Sequence, residues 1–350
     1  MPFKTPLFLI RMVRYEYWAW WVFYLPIIPY WLYLAFKSRS LTYFTAANPG
    51  IEAGGFFGES KIGILDKIAG QYKPRTVFIA GQPPLALVAR RLAEAGIRFP
   101  LIAKPDVGER GNQVEKLHGK AELQHYLAGN QSDIIFQEFV DYELEMGVFF
   151  HRQPGAPNGK VSSVTLKKFL SVTGNGISTI EELMGQSNRA RFQLKKFRQR
   201  LGGQMQQILP DGEVKTLEYI GNHCRGTLFY SGNHLINKRL HEIFSDIALP
   251  IDGFYYGRFD IKVRSLADLY AGRHIRVLEL NGVSAEPAHI YDPGYTLLRA
   301  YRDFARHMDI MHRICQENIK NGARPVSVKQ LWLTVKKHFR QTGALPAAIG

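Results

Sequence analysis

Two stretches late in the chain alternate polar and apolar residues with a period of two. Residues 257–263 read Gly-Arg-Phe-Asp-Ile-Lys-Val, and residues 276–282 read Arg-Val-Leu-Glu-Leu-Asn-Gly. Such alternation marks a strand, and it sets Arg258, Asp260 and Lys262 on one face and Val277, Glu279 and Asn281 on one face. The loop between them, with Ala267, Asp268, Ala271 and Gly272, lets the two strands pair as a hairpin, so that their polar residues converge.

Upstream, the pattern predicts a helix over 61–68, then strand 77–79, helix 85–95 and strand 99–103, which together form one α/β unit. A helix over 120–128 follows, then a strand over 133–140 that is apolar at first and turns polar at Gln137-Glu138. Residues 162–169 form a strand ending in the pair Lys167-Lys168. A turn at 173–176 leads into a helix opening at Ser178-Thr179, with Glu181 and Glu182 in its first turn. After Pro325, Val328, Trp332, Val335 and Phe339 recur at helical spacing, with Lys329, Lys336, Lys337 and Arg340 elsewhere on the turn.

Residues 17–36 depart from both periods. They are twenty uncharged positions that include Trp18, Trp20, Trp21, Trp31 and four tyrosines. The length suits a bilayer span, but Pro26 and Pro29 break a straight helix in its middle. Lys4, Arg11 and Arg14 precede the run, and Lys37 and Arg39 follow it, which removes the asymmetry that orients a span. Residues 1–40 are therefore expected to be a hydrophobic, aromatic membrane anchor, re-entrant or surface-lying, with both flanks cytoplasmic; a buried pair of core helices is the alternative. No small-residue cleavage site follows, which argues against a signal peptide. The basic amphipathic tail, 316–350, fits an interfacial helix on anionic lipid or a helix packed on the protein body.

The 350 residues carry a formal net charge of +15, from 45 basic and 30 acidic side chains, which favours an anionic partner such as a membrane surface or a phosphorylated substrate. Nucleic acid would suit the charge, but no aromatic-basic stacking platform or zinc knuckle is present, and none is expected as a partner. Cys224 and Cys315 have neither CxxC spacing nor a nearby His pair, so a reducing compartment fits best.

Chemistry concentrates at the hairpin. Asp260, Glu279 and the amide of Asn281 form an all-oxygen set of the kind Mg²⁺ prefers, leaving coordination positions for phosphate oxygens and water; a solvated edge hairpin is the bland alternative. Lys104 sits just before a glycine loop, residues 106–114, whose backbone N–H groups can close over phosphates. The glycine-rich stretch at 45–61 reads as a substrate loop or a plain connector. Among the polar residues at 222–234, Arg225 is best suited to clamp a carboxylate, while His223 and His234 read as structural. The basic run from Arg189 to Arg200 reads as a solvated helix face.

The succession Lys104-Pro105, glycine loop, Gln137-Glu138-Phe139-Val140 with Glu145, Lys167, Arg258-x-Asp260 and Glu279-x-Asn281 resembles the ATP-grasp ligases, in particular the D-alanine:D-alanine ligase and cyanophycin synthetase branches, over roughly residues 97–312. The resemblance implies an α/β (α+β) fold in which two α+β subdomains clasp ATP, divided here into the anchor 1–40, a reduced N-terminal α/β domain 41–100, an ATP-grasp domain 101–315 and the tail 316–350. It implies that Lys104 contacts the α- and β-phosphates beneath Gly108, Arg110, Gly111 and Asn112. Gln137, Glu138, Phe139 and Val140 would form the adenine hinge, with Glu145 on the ribose. Lys167 would reach the phosphates from the other side, with Lys168 as its competitor. Asp260, Glu279 and Asn281 would hold two Mg²⁺ ions, with Mn²⁺ an acceptable substitute, and Arg258 would stabilise the transferring phosphoryl group. Two departures stand out: Glu109-Arg110-Gly111-Asn112 replaces a serine-rich phosphate loop, and Gly282-Val283-Ser284-Ala285-Glu286 replaces the threonine-x-proline-glycine after the metal asparagine. The second loop would face the acceptor, which puts D-alanine as substrate in doubt.

The expected activity is ATP- and Mg²⁺-dependent joining of a small-molecule or lipid-linked carboxylate to an amine through an acylphosphate. Its expected place is a cytoplasmic, membrane-associated one: the inner-membrane cytoplasmic face in a bacterium. The alternatives are an ATP-grasp phosphotransferase and a non-catalytic, membrane-bound nucleotide sensor.

Overall fold

The computed structural model describes residues 5–108 and 111–342. Among the described residues, eleven strands form three antiparallel sheets. The first sheet has the order β1 (Thr76–Ile79), β4 (Ile134–Glu138), β2 (Leu101–Pro105), β3 (Glu115–Leu117). The second runs β11 (Ile275–Asn281), β10 (Tyr256–Val263), β5 (Leu144–His151), β6 (Lys160–Lys168), β9 (Leu228–Ser231). The third pairs β7 (Ser171–Thr173) with β8 (Val214–Thr216).

Strand alternation decides what each sheet buries. In the first sheet, Val77, Ile79, Leu101, Ala103, Ile134 and Phe136 pack under helices Leu85–Glu94 and Lys120–Gly129, leaving Lys104 and Gln137 on the opposite face. In the second sheet, Met146, Val148, Phe150, Phe259, Ile261 and Val263 bury against helix Lys238–Ala248 through Leu240, Ile243, Phe244 and Ile247. The other face of that sheet is divided along its length. One end, with Phe149 and Tyr256, lies in a second core with helix Leu297–Lys320; the other end carries Glu145, Lys167, Arg258 and Asp260.

The reduced domain expected at 41–100 does not stand apart. β1 is an edge strand of the first sheet, paired to β4, so a boundary at residue 100 cuts through that sheet. Residues 43–47 pack instead into the second core, and Ile51, Ile64 and Leu65 into the first. The stretch read as substrate loop or connector is a brace. Buried Asn48 donates to the Gly54 carbonyl at 3.0 Å and the Tyr256 carbonyl at 2.7 Å, and accepts from the Tyr255 and Tyr256 N–H groups at 2.9 Å. All of its amide's bonding capacity is thus spent on holding the start of β10.

The N-terminal apolar run is broken where its prolines fall, into helices Leu7–Val13, Trp20–Tyr24 and Ile28–Lys37 with a 3₁₀ turn at Leu25–Ile27. No helix among the described residues is long and apolar enough to cross a membrane, so a spanning anchor is not supported. Phe23, Ile27, Leu34 and Ala35 are buried in the core with Met308, Met311 and Ile314, as the alternative of a buried pair of core helices expects, while Trp20, Trp21, Leu32 and Phe36 stay exposed. The tail forms helix Val328–Thr342; the side chains of Phe339 and Arg340 lie outside the described residues.

After β11 the chain passes over the brace with no room to spare. A Cβ at Gly282 would lie 2.3 Å from the Gly54 carbonyl oxygen and 2.8 Å from the Gly55 Cα, both backbone atoms that cannot swing aside. Gly282→Ala should therefore lower stability by about 1–3 kcal/mol, as overpacking does, whereas Gly203→Ala, with open space around it, should change it by less than about 0.5 kcal/mol. Chemical denaturation of the two variants checks this.

Candidate functional site

The site is built on the β10–β11 pair, and its geometry depends on a bulge. Asp260 is opposite Glu279 and Arg258 opposite Asn281, but Ile261 is opposite Val277, so Leu278 is an extra residue on β11. The bulge changes the parity of the strand. Val277 is fully buried in the core while Glu279 and Asn281 turn to the polar face, which corrects the expectation that all three share one face. It also frees the Leu278 carbonyl, which accepts from Lys104 Nζ at 3.1 Å and so joins the first sheet to the second.

Buried Asp260 is the hub. Its carboxylate lies 3.0 Å from Lys167 Nζ and accepts from Arg258 at 3.0 and 3.2 Å and from Asn281 Nδ2 at 3.0 Å. Burial alone would raise its pKa, but Arg258 and Lys167 outweigh burial and hold it down at about 2. Lys167 is also 3.2 Å from Glu145. Burial disfavours its charge, yet Asp260 and Glu145 together keep its pKa above the usual lysine value. Lys168, one residue on, is exposed, so alternation gives Lys167 the inward place.

Lys104 projects from the first sheet, buried, with Gln137 Oε1 at 3.3 Å. Burial lowers its pKa to about 8 despite the nearby Glu279 carboxylate. Glu279 is half-buried and makes no ion pair or hydrogen bond with any described residue. A carboxylate without a partner, beside Asp260 and an Asn281 whose oxygen is turned away from Asp260, suits a hard cation. No group of three or more His, Cys, Asp or Glu is arranged around a metal position among the described residues, so the set consists of two carboxylates and an amide.

The expected adenine hinge is differently arranged. Glu138 alternates with Gln137 and faces the other way, where it accepts from the backbone N–H of Arg75 at 3.0 Å and its Nε at 2.6 Å. It lines a cavity of about 550 Å³ with Phe139, Lys116 and Arg98. The Val140 carbonyl accepts from buried Lys262 at 3.1 Å, and Phe139 lies between Lys116 and Lys262, 3.7 and 5.3 Å from its ring centre. Glu145, expected on the ribose, points inward to Lys167. A mostly apolar cavity of about 370 Å³, lined by Leu92, Phe99 and Leu123, lies behind the first sheet.

Arg225, expected to clamp a carboxylate, is engaged by the protein. Its Nε donates to Glu218 at 2.9 Å, and one terminal nitrogen donates to the Gly111 and Val114 carbonyls at 2.9 and 3.3 Å. It ties down the far end of the glycine loop. Gly108 at the near end accepts from Lys61, Asn112 is exposed, and Arg110 lies outside the described residues. Arg189 is not on a solvated face: it is buried, pairs with Glu16 and donates to the Thr227 carbonyl at 3.1 Å.

One contact gave no sequence signal beyond its position five residues after Asn281. Glu286 accepts from Tyr24 and, at 2.7 Å, from Tyr291, while its carbonyl accepts from Arg258 at 3.2 Å. Although its surface is partly open, enclosure by neighbouring atoms pushes its carboxyl pKa up to about 7.

No family model matches the sequence, and no curated protein matches it. Among solved structures, the chain is similar to the D-alanine–D-alanine ligase of Bacillus anthracis complexed with ATP, at 13% identity over 72% of this chain and 64% of that one, TM-score 0.41. It is also similar to the Coxiella burnetii D-alanine–D-alanine ligase, at 9% identity over 79% and 61%, TM-score 0.42, and to a bifunctional glutathione synthetase of Pasteurella multocida, at 14% over 73% and 36%, TM-score 0.37. The chain thus spans less than two thirds of the length of these proteins.

Two predictions follow for the lysines if ATP occupies the space between them. Phosphates brought to Lys104 should restore its charge, so between pH 8 and 10 ATP binding should take up about one proton, and uptake should vanish in Lys104→Ala and in Lys104→Arg, whose guanidinium is always protonated; calorimetry in buffers of different ionisation enthalpy measures it. Lys167→Ala should weaken ATP binding by at least about tenfold, the loss of one charge-assisted contact, and Lys168→Ala by less than about twofold. The reverse order in a binding titration would place Lys168 at the nucleotide.

Proposed function

We infer that this protein is an ATP- and Mg²⁺-dependent ligase that joins a carboxylate to an amine. The observation that carries the reading is the charge arrangement between two facing sheets: Lys104 of the first sheet, and Lys167 and Arg258 around Asp260 on the second, with Glu279 beside them making no ion pair or hydrogen bond to a described residue. Three cations and an uncompensated carboxylate suit a triphosphate that arrives with its metal, because each sign then meets its complement.

Asp260, Glu279 and the Asn281 oxygen would hold Mg²⁺, which neutralises charge on the phosphates when bound. Lys104 and Lys167, on facing sheets, bind the phosphates from two sides and fix their direction. Arg258 keeps its guanidinium between Asp260 and the Glu286 carbonyl, where it is placed to stabilise charge on a γ-phosphoryl group moving to a substrate carboxylate. The product of that transfer is an acylphosphate. An amine attacks its carbonyl carbon, the C–N bond forms, the C–O bond to phosphate breaks, and the amine's protons leave to solvent. The protein's part is orientation and charge neutralisation in a site that excludes water. Small-molecule or lipid-linked carboxylates and amines are the substrate class, and the cytoplasmic face of a membrane, where ATP is supplied, is the proposed location.

Asp260→Asn and Glu279→Gln should each lower Mg²⁺-dependent ADP release by about a thousandfold or more, the scale of losing a charged group from a phosphoryl-transfer site, with melting temperature retained in Glu279→Gln, whose carboxylate makes no ion pair, and lowered in Asp260→Asn, which leaves Lys167 and Arg258 without their shared carboxylate. The assay is run across pools of carboxylates with and without amines, lipid-linked amines included. Near-normal turnover in either variant sinks the metal assignment, and ADP release with no dependence on an amine indicates a phosphotransferase instead.

A further inference from the structure

The N-terminal helices have two sides with opposite chemistry. Inward, Phe23, Ile27, Leu34 and Ala35 fill the core, Tyr24 reaches Glu286, and Glu16 pairs with Arg189. The segment is therefore folded onto the body, not a loose tail. Outward, the same helices leave large apolar side chains in the open: Met12 and Val13 on the first, Trp20 and Trp21 on the second, Leu32 and Phe36 on the third. Trp20 is 56% exposed and Phe36 is 85% exposed. This is not scattered surface hydrophobicity, since it occupies three consecutive helices and includes two tryptophans.

The C-terminal helix packs on the same core cluster. Its approach is fixed by the Val326 N–H on Thr45 Oγ1 at 2.9 Å, and Leu331 packs on the cluster that holds Phe23 and Ile27. From there Val328, Trp332 and Leu333 project outward, Trp332 with 57% of its surface exposed and Lys336 Nζ 4.7 Å from its ring centre.

Charge chooses the occupant. Glu16 is the only acidic residue between positions 5 and 51, and its carboxylate is buried against Arg189; no acidic residue follows Glu317. Exposed Arg11, Lys37 and Arg39 flank the N-terminal helices, and exposed Lys329, Lys336 and Lys337 line the C-terminal one. A second copy meeting this face about a two-fold axis would set these cations against themselves. An apolar face rimmed by cations and free of exposed acids complements an anionic lipid surface: tryptophans at headgroup level, aliphatic side chains below and cations on the phosphates.

We propose that the exposed side of helices Leu7–Val13, Trp20–Tyr24 and Ile28–Lys37, together with Trp332 and its neighbours, is a monotopic docking face for anionic membrane, which seats the protein on the bilayer without crossing it. This does not depend on the ligase reading, because lipid binding is measured without ATP.

The test is flotation of the full chain with vesicles of phosphatidylcholine alone and of equimolar phosphatidylcholine and phosphatidylglycerol. Binding to the anionic vesicles should exceed binding to the neutral ones by about tenfold at low salt, and the difference should shrink at 1 M salt as the charges are screened. A variant carrying Trp20→Ser, Leu25→Ser and Trp332→Ser should lose about tenfold in binding. If that variant fails to fold, quenching of wild-type tryptophan emission by bromine-labelled acyl chains reads the same contact. No flotation with anionic vesicles, undiminished binding by the variant, absence of quenching, or a solution dimer that the variant dissociates each overturns the proposal.

Discussion

A carboxylate held in the wall of a protein must be compensated, and Asp260 is compensated from three directions. Lys167 comes from β6, Arg258 from its own strand and Asn281 from β11. Removing one partner of such a buried network leaves the others uncompensated, at a cost of several kcal/mol. The network therefore fixes the alignment of three strands as firmly as the apolar face behind them does. It also sets the site's electrostatics, since Lys167 is shared with Glu145 and Arg258 with the Glu286 carbonyl.

The rest of the site is held by contacts to this hub. The bulge at Leu278 turns Glu279 toward the polar face and offers its own carbonyl to Lys104, so the first sheet is fastened to the second through that lysine. A nucleotide that takes over that ammonium would loosen one protein contact as it makes another, which links binding to the relative placement of the two sheets. On the far side, Arg258 and Tyr24 both engage Glu286, so the N-terminal helices are two hydrogen bonds from Arg258. A segment whose composition alone suggests a membrane surface is thus tied by hydrogen bonds to the wall of the site.

Much of the local structure is legible in the residues. Alternation over 257–263 predicts β10 and its polar set, the pair Lys167-Lys168 places one lysine inward, and the helices at 85–95 and 120–128 follow their apolar periodicity. Pro26 and Pro29 mark the break in the apolar run. What escapes is side-chain commitment. The Glu138 side chain is taken by Arg75, 63 positions away. Arg225 looks like a free clamp until Glu218 and the Gly111 carbonyl occupy it, and Arg189 looks solvated until Glu16 covers it.

The sequence by itself determined the periods, the breaks and the chemical inventory: which residues form strands, where the prolines interrupt, and that two carboxylates, an amide and three cations lie at strand positions able to meet. These are properties of a residue and its near neighbours, carried by backbone sterics and the two-residue repeat of a strand. Only the tertiary structure decided which of those charges remain available. An ion pair depends on which chain segments lie within about 4 Å of each other, and one inserted residue at Leu278 inverts a strand's faces without leaving a mark in composition. Whether the apolar N-terminal run would be core or surface was settled the same way, by how much of it the helix at Leu297–Lys320 could cover.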